Sequence, residues 1–155
     1  MKRNNKLVLF ASAAALVLVI VLIGWVQQEE TETVVVYKSP TCGCCGKWVD
    51  HMREAGFEVE VHDLDNLSTV KATHGVLPKV ASCHTALVGG YVVEGHVPAT
   101  YVKKLLEERP AVTGIAVPGM PMGSPGMEGP TSVDYDVLTF DKTGKTAVFA
   151  HVKAQ

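Results

Sequence analysis

Three of the chain's four cysteines stand within four residues, Cys42-Gly43-Cys44-Cys45. Cys42 and Cys45 have the C-x-x-C spacing of dithiol redox centres. Here the gap holds Gly43 and a third thiol. One disulfide can use only two of the three sulfurs, and joining the neighbours Cys44 and Cys45 would strain the backbone. Three thiolates on one turn suit a soft cation, or several, better than electron shuttling. The same turn precedes a helical pattern, so its thiols should face unpaired amide N–H groups and the positive end of a helix dipole. Both favour the thiolate, which is the nucleophile and the metal ligand alike. The location therefore serves either chemistry, and the extra thiol of Cys44 favours metal.

The fourth thiol, Cys83, can be placed by hairpin geometry. Thr85-Ala86-Leu87-Val88 and Tyr91-Val92-Val93-Glu94 flank Gly89-Gly90 and read as strands around a two-residue turn. Pairing Val88 with Tyr91 and extending the ladder sets Cys83 opposite His96. Opposed side chains have Cβ atoms about 4.5–5.5 Å apart. His84 falls on the other face in this register, unless a frayed strand start brings it back. Met120, Met122 and Met127 form a further cluster in a Gly/Pro-rich framework rather than at helical spacing. A thioether is a neutral soft ligand suited to Cu(I), and such a loop can equally serve as packing. His62, His74, His51 and His151 carry weaker signals, as a solvated strand residue, a helix end, an exposed neighbour of the thiols and a remote residue. No carboxylate pair suggests acid/base catalysis.

Several elements must position these groups. Val34 to Tyr37 reads as a strand buried on both faces, followed by the cysteine turn. From Gly46 a helix is expected, with Trp48, Val49, Met52 and Ala55 on one stripe and Gly56 at its end. Phe57 to His62 alternates as an edge strand does. Asn66 can cap a short helix closed at Gly75. The hairpin follows, and Pro98 opens a helix over Ala99 to Glu108, stopped by Pro110. The order β-α-β-α-β-β-α predicts an α/β fold, a thioredoxin/glutaredoxin-like mixed sheet with flanking helices. In that fold Pro78 is a candidate cis-proline, although it lies far from Thr85. A C-terminal Met-rich loop (Val117 to Met127) and an extra β-hairpin, Tyr135 to Phe140 and Lys145 to Val152, complete the expectation.

The 155 residues carry a formal charge of −2, which gives no reason to expect nucleic acid as a partner. Leu7 to Val26 is a run of twenty residues without a charge, and as a helix it would span roughly 30 Å, one bilayer. Lys2, Arg3 and Lys6 precede it and acidic residues follow, so the rest of the chain is expected across the membrane from a cytoplasmic N-terminus. The run exceeds a signal-peptide core and ends without a small-x-small site, which favours an uncleaved transmembrane anchor. The expected organisation is a basic segment at 1–6, an anchor at 7–26, a linker at 27–33, a metal-binding domain at 34–110, and the loop and hairpin at 111–155 packed on that domain. Outside a bacterial inner membrane dithiols tend to oxidise, so four thiols there need a reducing partner or a bound metal.

Pro40-Thr41-Cys42-Gly43-Cys44-Cys45, Ser82-Cys83-His84-Thr85, Gly90 to Pro98, and Pro118-Gly119-Met120-Pro121 with Gly123 to Met127 together resemble the CopG-type copper-resistance family of small periplasmic metal-binding proteins. The resemblance covers about Val34 to Val152. It implies a thioredoxin-like fold and copper held by Cys42, Cys44, Cys45 and Cys83, as a multinuclear cluster with bridging thiolates and Cu(I)/Cu(II) redox activity. Met120, Met122, Met127, His84 and His96 are further candidate ligands. The expected function is copper handling in the periplasm, at the inner membrane, with copper ions and other periplasmic copper-handling proteins as partners. The rival readings are a tethered thiol–disulfide oxidoreductase using Cys42 and Cys45, and a structural zinc module. Adjacent thiolates argue against zinc, whose closed sites prefer two spaced pairs.

Overall fold

The computed structural model describes residues 32–154. The anchor expected at 7–26 lies outside them. Among the described residues no helix is long and apolar enough to cross a membrane.

Seven strands form one mixed sheet in the order β2-β1-β3-β4-β5-β6-β7. They are β1 (Thr33–Lys38), β2 (Glu58–Asp63), β3 (Thr85–Val88), β4 (Tyr91–Glu94), β5 (Gly114–Ala116), β6 (Tyr135–Phe140) and β7 (Thr146–Val152). Three helices connect them: α1 (Gly43–Glu54), α2 (Ser68–Thr73) and α3 (Ala99–Glu108). β1 pairs with β2 in parallel through the α1 crossover, and β4 with β5 in parallel through α3. The other neighbours are antiparallel.

The sequence explains most of this. The stripe Trp48, Val49 and Met52 buries α1 against the sheet, and Gly56 leaves the helix at φ +93°. On α3, Ala99, Val102 and Leu105 are buried. These side chains share one core with Val34, Val36, Ala86, Val93, Ile115 and Val137. Full burial of each large aliphatic among them contributes about 1.5–3 kcal/mol. The Gly89-Gly90 turn delivers the expected register, Val88 opposite Tyr91 and Thr85 opposite Glu94. Both glycines take positive φ, as a primed hairpin turn requires.

Four expectations need correction. Strand β1 buries Val34 and Val36 fully but Val35 only in part, so it is not equally covered on both faces. Helix α1 begins at Gly43 rather than Gly46, which places Cys44 and Cys45 inside its first turn. No peptide bond among the described residues is cis, so Pro78 is trans. It sits in a turn closed by the Val80 N–H on the Leu77 carbonyl, away from the strand entry. Finally, β5 is a strand that the Gly/Pro-rich texture hides. Its three buried residues join β4 to β6, so the C-terminal hairpin continues the sheet.

Candidate metal centre

Two chain segments meet at the end of β1. The first is the β1–α1 turn, where Cys42 occupies the N-cap of α1 and its carbonyl accepts from the Gly46 N–H. The second is the entry to β3, Ser82-Cys83-His84. Helix α1 is fixed to the loop beyond β4 and to the first residue of α3 by one bond each. Trp48 Nε1 donates to the Val97 carbonyl at 2.8 Å, and the Ala99 N–H donates to His51 Nε2 at 3.0 Å. His51 is thus half-buried and partnered, where an exposed residue was expected.

The sulfurs of Cys42, Cys44, Cys45 and Cys83 all lie within 4.8 Å of one another. Cys42 and Cys45 are joined as a disulfide, while Cys44 and Cys83 are free and half-buried. Cys42 Sγ stands 3.5 Å from Cys44 Sγ. A second group shares Cys83: its sulfur, a His84 nitrogen and a His96 nitrogen also fall within 4.8 Å of one another. His96 Nε2 is 2.9 Å from Cys83 Sγ, and His84 Nδ1 is 3.4 Å away. Here the strand start does fray: Cys83 and His84 precede β3, and His84 turns toward its neighbour instead of the opposite face.

Electrostatics follow from burial. The Cys83 thiol is pushed up to about 11 by burial and by the charge of Cys44. Burial lowers His96, and it holds His84 well below the ordinary histidine value, helped by His96 and Lys71. Both rings are therefore neutral at pH 7, the form that ligates metals. His96 Nδ1 donates to the Pro125 carbonyl at 2.8 Å, which leaves the Nε2 lone pair directed at Cys83. His84 Nε2 is buried with no hydrogen-bond partner. A buried polar atom left unpaired costs about 1–3 kcal/mol, while the other nitrogen of the ring, Nδ1, is the one that faces Cys83. The donor set, soft thiols with neutral imidazoles, fits copper.

The Met-bearing loop reaches the site through its backbone. A Cβ at Gly126 would lie 2.5 Å from the Cys44 carbonyl oxygen, 3.1 Å from the Trp48 nitrogen and 3.4 Å from His96 Nδ1. Ser82 Oγ donates to the Gly119 carbonyl. Met120 is half exposed, and Met122 and Met127 are partly buried. The remaining histidines stand apart from this cluster. His62 pairs with Glu60 and stacks on Tyr37, while His151 pairs with Asp136. His74 is the C-cap of α2.

Sequence reading missed Glu94. It is fully buried at the end of β4 and accepts from the Ser82 N–H, Thr85 Oγ1 and Lys71 Nζ. Burial raises its carboxyl, against the opposing pull of Lys71. A glutamate ending an apolar strand was the available signal.

Two solved structures of copper resistance protein CopG are similar to this chain in sequence and fold. Form 2 is 42% identical, with a TM-score of 0.75, and the match covers 79% of this chain and 99% of that one. Form 1 gives the same identity and TM-score over 80% and 99%. The chain belongs to the CopG-type copper-resistance family. A family model described as a protein of unknown function, DUF411, matches residues 80–127. Within the CopG fold that stretch contains Cys83, His84, His96 and the Met-bearing loop, and it leaves out the Cys42 turn. No curated protein sequence matches the chain.

Proposed function

We propose that the chain is a copper-handling protein of the bacterial periplasm, tethered to the inner membrane by residues 7–26, with a thioredoxin-like scaffold adapted to hold metal. Thiolates of Cys42, Cys44, Cys45 and Cys83 bind Cu(I), and bridging sulfurs let four thiolates hold more than one ion. His84 and His96 complete the donor set at Cys83. The loop carrying Met120, Met122 and Met127 caps the site and supplies thioethers to an arriving or departing ion. Copper ions and other periplasmic copper-handling proteins are its partners.

One observation carries this reading. Cys83 comes from the entry to β3, some forty residues along the chain, yet its sulfur lies within 4.8 Å of the three on the α1 turn. A dithiol carrier has no use for that convergence. Membership of a family whose solved members are copper resistance proteins supports the same metal.

The disulfide between Cys42 and Cys45 favours a second role on the same scaffold. As the dithiol closes it releases two protons and two electrons, the number needed to reduce two Cu(II) to Cu(I). Thiol–disulfide exchange with a protein substrate is the competing use of that pair. The full-length chain, reduced and titrated with Cu(I) against a competing chelator, separates them. Copper handling predicts that Cys44→Ser with Cys83→Ser abolishes tight binding. A carrier predicts unchanged copper behaviour in that variant and turnover of a disulfide substrate.

A further inference from the structure

The Cys83-His84 pair is bracketed by one buried carboxylate. Glu94 Oε1 accepts from the Ser82 N–H at 2.6 Å, one residue before the pair. Glu94 Oε2 accepts from Thr85 Oγ1 at 2.7 Å, one residue after it. Lys71 of α2 donates to both Glu94 and Thr85, reaching Thr85 Oγ1 at 3.0 Å. The backbone of the same glutamate accepts the Val117 N–H, where the Met-bearing loop begins. Ser82 then turns its hydroxyl to the Gly119 carbonyl in that loop. A Cβ at Gly95 would sit 2.4 Å from Ser82 Oγ and 2.7 Å from the Val117 oxygen, so these segments approach as closely as a glycine allows.

We infer that Glu94 is the positioning residue of the metal centre: its two oxygens clamp the irregular Ser82–Thr85 entry so that Cys83 and His84 present their donor atoms beside His96. The stretch precedes the β3 ladder, and its backbone pairing with the β4 side is a single bond, the Gly95 N–H to the His84 carbonyl at 3.0 Å, so the carboxylate holds what that bond alone leaves loose. Carboxylates are suited to the task, since charge-assisted bonds are shorter and stronger than neutral ones. Lys71 supplies the countercharge without touching the sulfurs. The role deepens the copper reading and rests on it, while the geometry it claims is measurable without copper.

The test uses the full-length chain in the disulfide form, metal-free, with each free thiol's alkylation followed by peptide mass spectrometry. Glu94→Gln keeps the shape and loses the charge. Leu105→Ala, on α3, provides a comparable loss of stability away from the clamp. Cys83 should alkylate about tenfold faster in Glu94→Gln, Cys44 should change less than about twofold, and Cu(I) affinity of the reduced chain should fall roughly 10–100-fold, as for other supporting residues of metal sites. Leu105→Ala should leave the Cys83 rate within about twofold of the parent. A parental Cys83 rate in Glu94→Gln, or an equal rise in Leu105→Ala, overturns the inference. Should Glu94→Gln not fold, Thr85→Val decides in the same way, since it removes one of the two bracketing bonds and no charge. A parent chain that binds no Cu(I) would defeat the copper reading and leave the alkylation result to decide the placement.

Discussion

Cys83 Sγ lies 2.9 Å from His96 Nε2, and the Pro125 carbonyl holds the opposite nitrogen of that ring at 2.8 Å. The Met-bearing loop therefore sets the tautomer of a histidine that faces a thiol delivered by another strand. Three separated stretches of chain define one donor pair. Replacing His96 with Gln should leave the chain folded and lower Cu(I) affinity about tenfold or more, since about 1.4 kcal/mol corresponds to each factor of ten. Chelator competition on the reduced chain measures it, and an affinity equal to the parent would remove His96 from the donor set.

Copper binding should depend steeply on pH. The Cys83 thiol is pushed up to about 11 by burial and by Cys44, so at neutral pH it carries a proton that the metal must displace. Proton release on Cu(I) addition, and an apparent affinity rising by about tenfold per pH unit from this thiol alone, are expected between pH 6 and 9. Calorimetry in buffers of different ionisation enthalpy counts the protons. Binding that is flat with pH would contradict a protonated Cys83.

The metal-free chain should be most stable between about pH 6.5 and 9. Burial lowers His51, His84 and His96 from 6.5. Below 6.5 the unfolded chain takes up protons that the folded one refuses, so stability present above that pH is lost on acidification. Cys83 acts at the other end. Raised from 9.0 to about 11, it keeps its proton when folded while the unfolded thiol loses it. Its contribution is complete below 9 and disappears as pH rises toward 11. Thermal melts across pH 5 to 11 should trace a dome, and a melting temperature that climbs from pH 7 to 5 would refute the histidine part.

Gly126 is where the Met-bearing loop touches the cysteine helix. Its φ of +86°, and the 2.5 Å at which a Cβ there would meet the Cys44 oxygen, leave no room for a side chain. Gly126→Ala should cost about 1–3 kcal/mol in strain and weaken copper binding by lifting Pro125 away from His96. Gly46 is the matching control, being helical with nothing within 4 Å of where a Cβ would stand. Gly46→Ala should add about 0.5–1 kcal/mol. Denaturant melts of both variants check the pair, and equal effects would show that the loop contact is unimportant.

Local patterns told most about the positions closest to the site. The Gly89-Gly90 turn fixes the register from Val88–Tyr91 to Thr85–Glu94, and extending it points Cys83 toward His96, the neighbour it has in the fold. The amphipathic stripes of α1 and α3 were equally legible. What failed was long-range. Glu94 reads as the polar end of a strand, and only the fold reveals three donors converging on it from α2, Ser82 and Thr85. Strand β5 is too short to have a period, and its pairing comes entirely from β4 and β6. His51 accepts a hydrogen bond from a helix 48 residues away, which no local window contains. The Cys42 to Cys45 pairing was one of several open at that turn, and spacing by itself does not choose between a disulfide and a ligand set.

The most direct measurement is copper stoichiometry paired with a free-thiol count on one anaerobic, fully reduced sample of the full-length chain. The account predicts more than one Cu(I) per chain and loss of alkylation at Cys42, Cys44, Cys45 and Cys83 together. Copper that protects only Cys42 and Cys45, or four thiols that stay reactive while the metal is present, would contradict it.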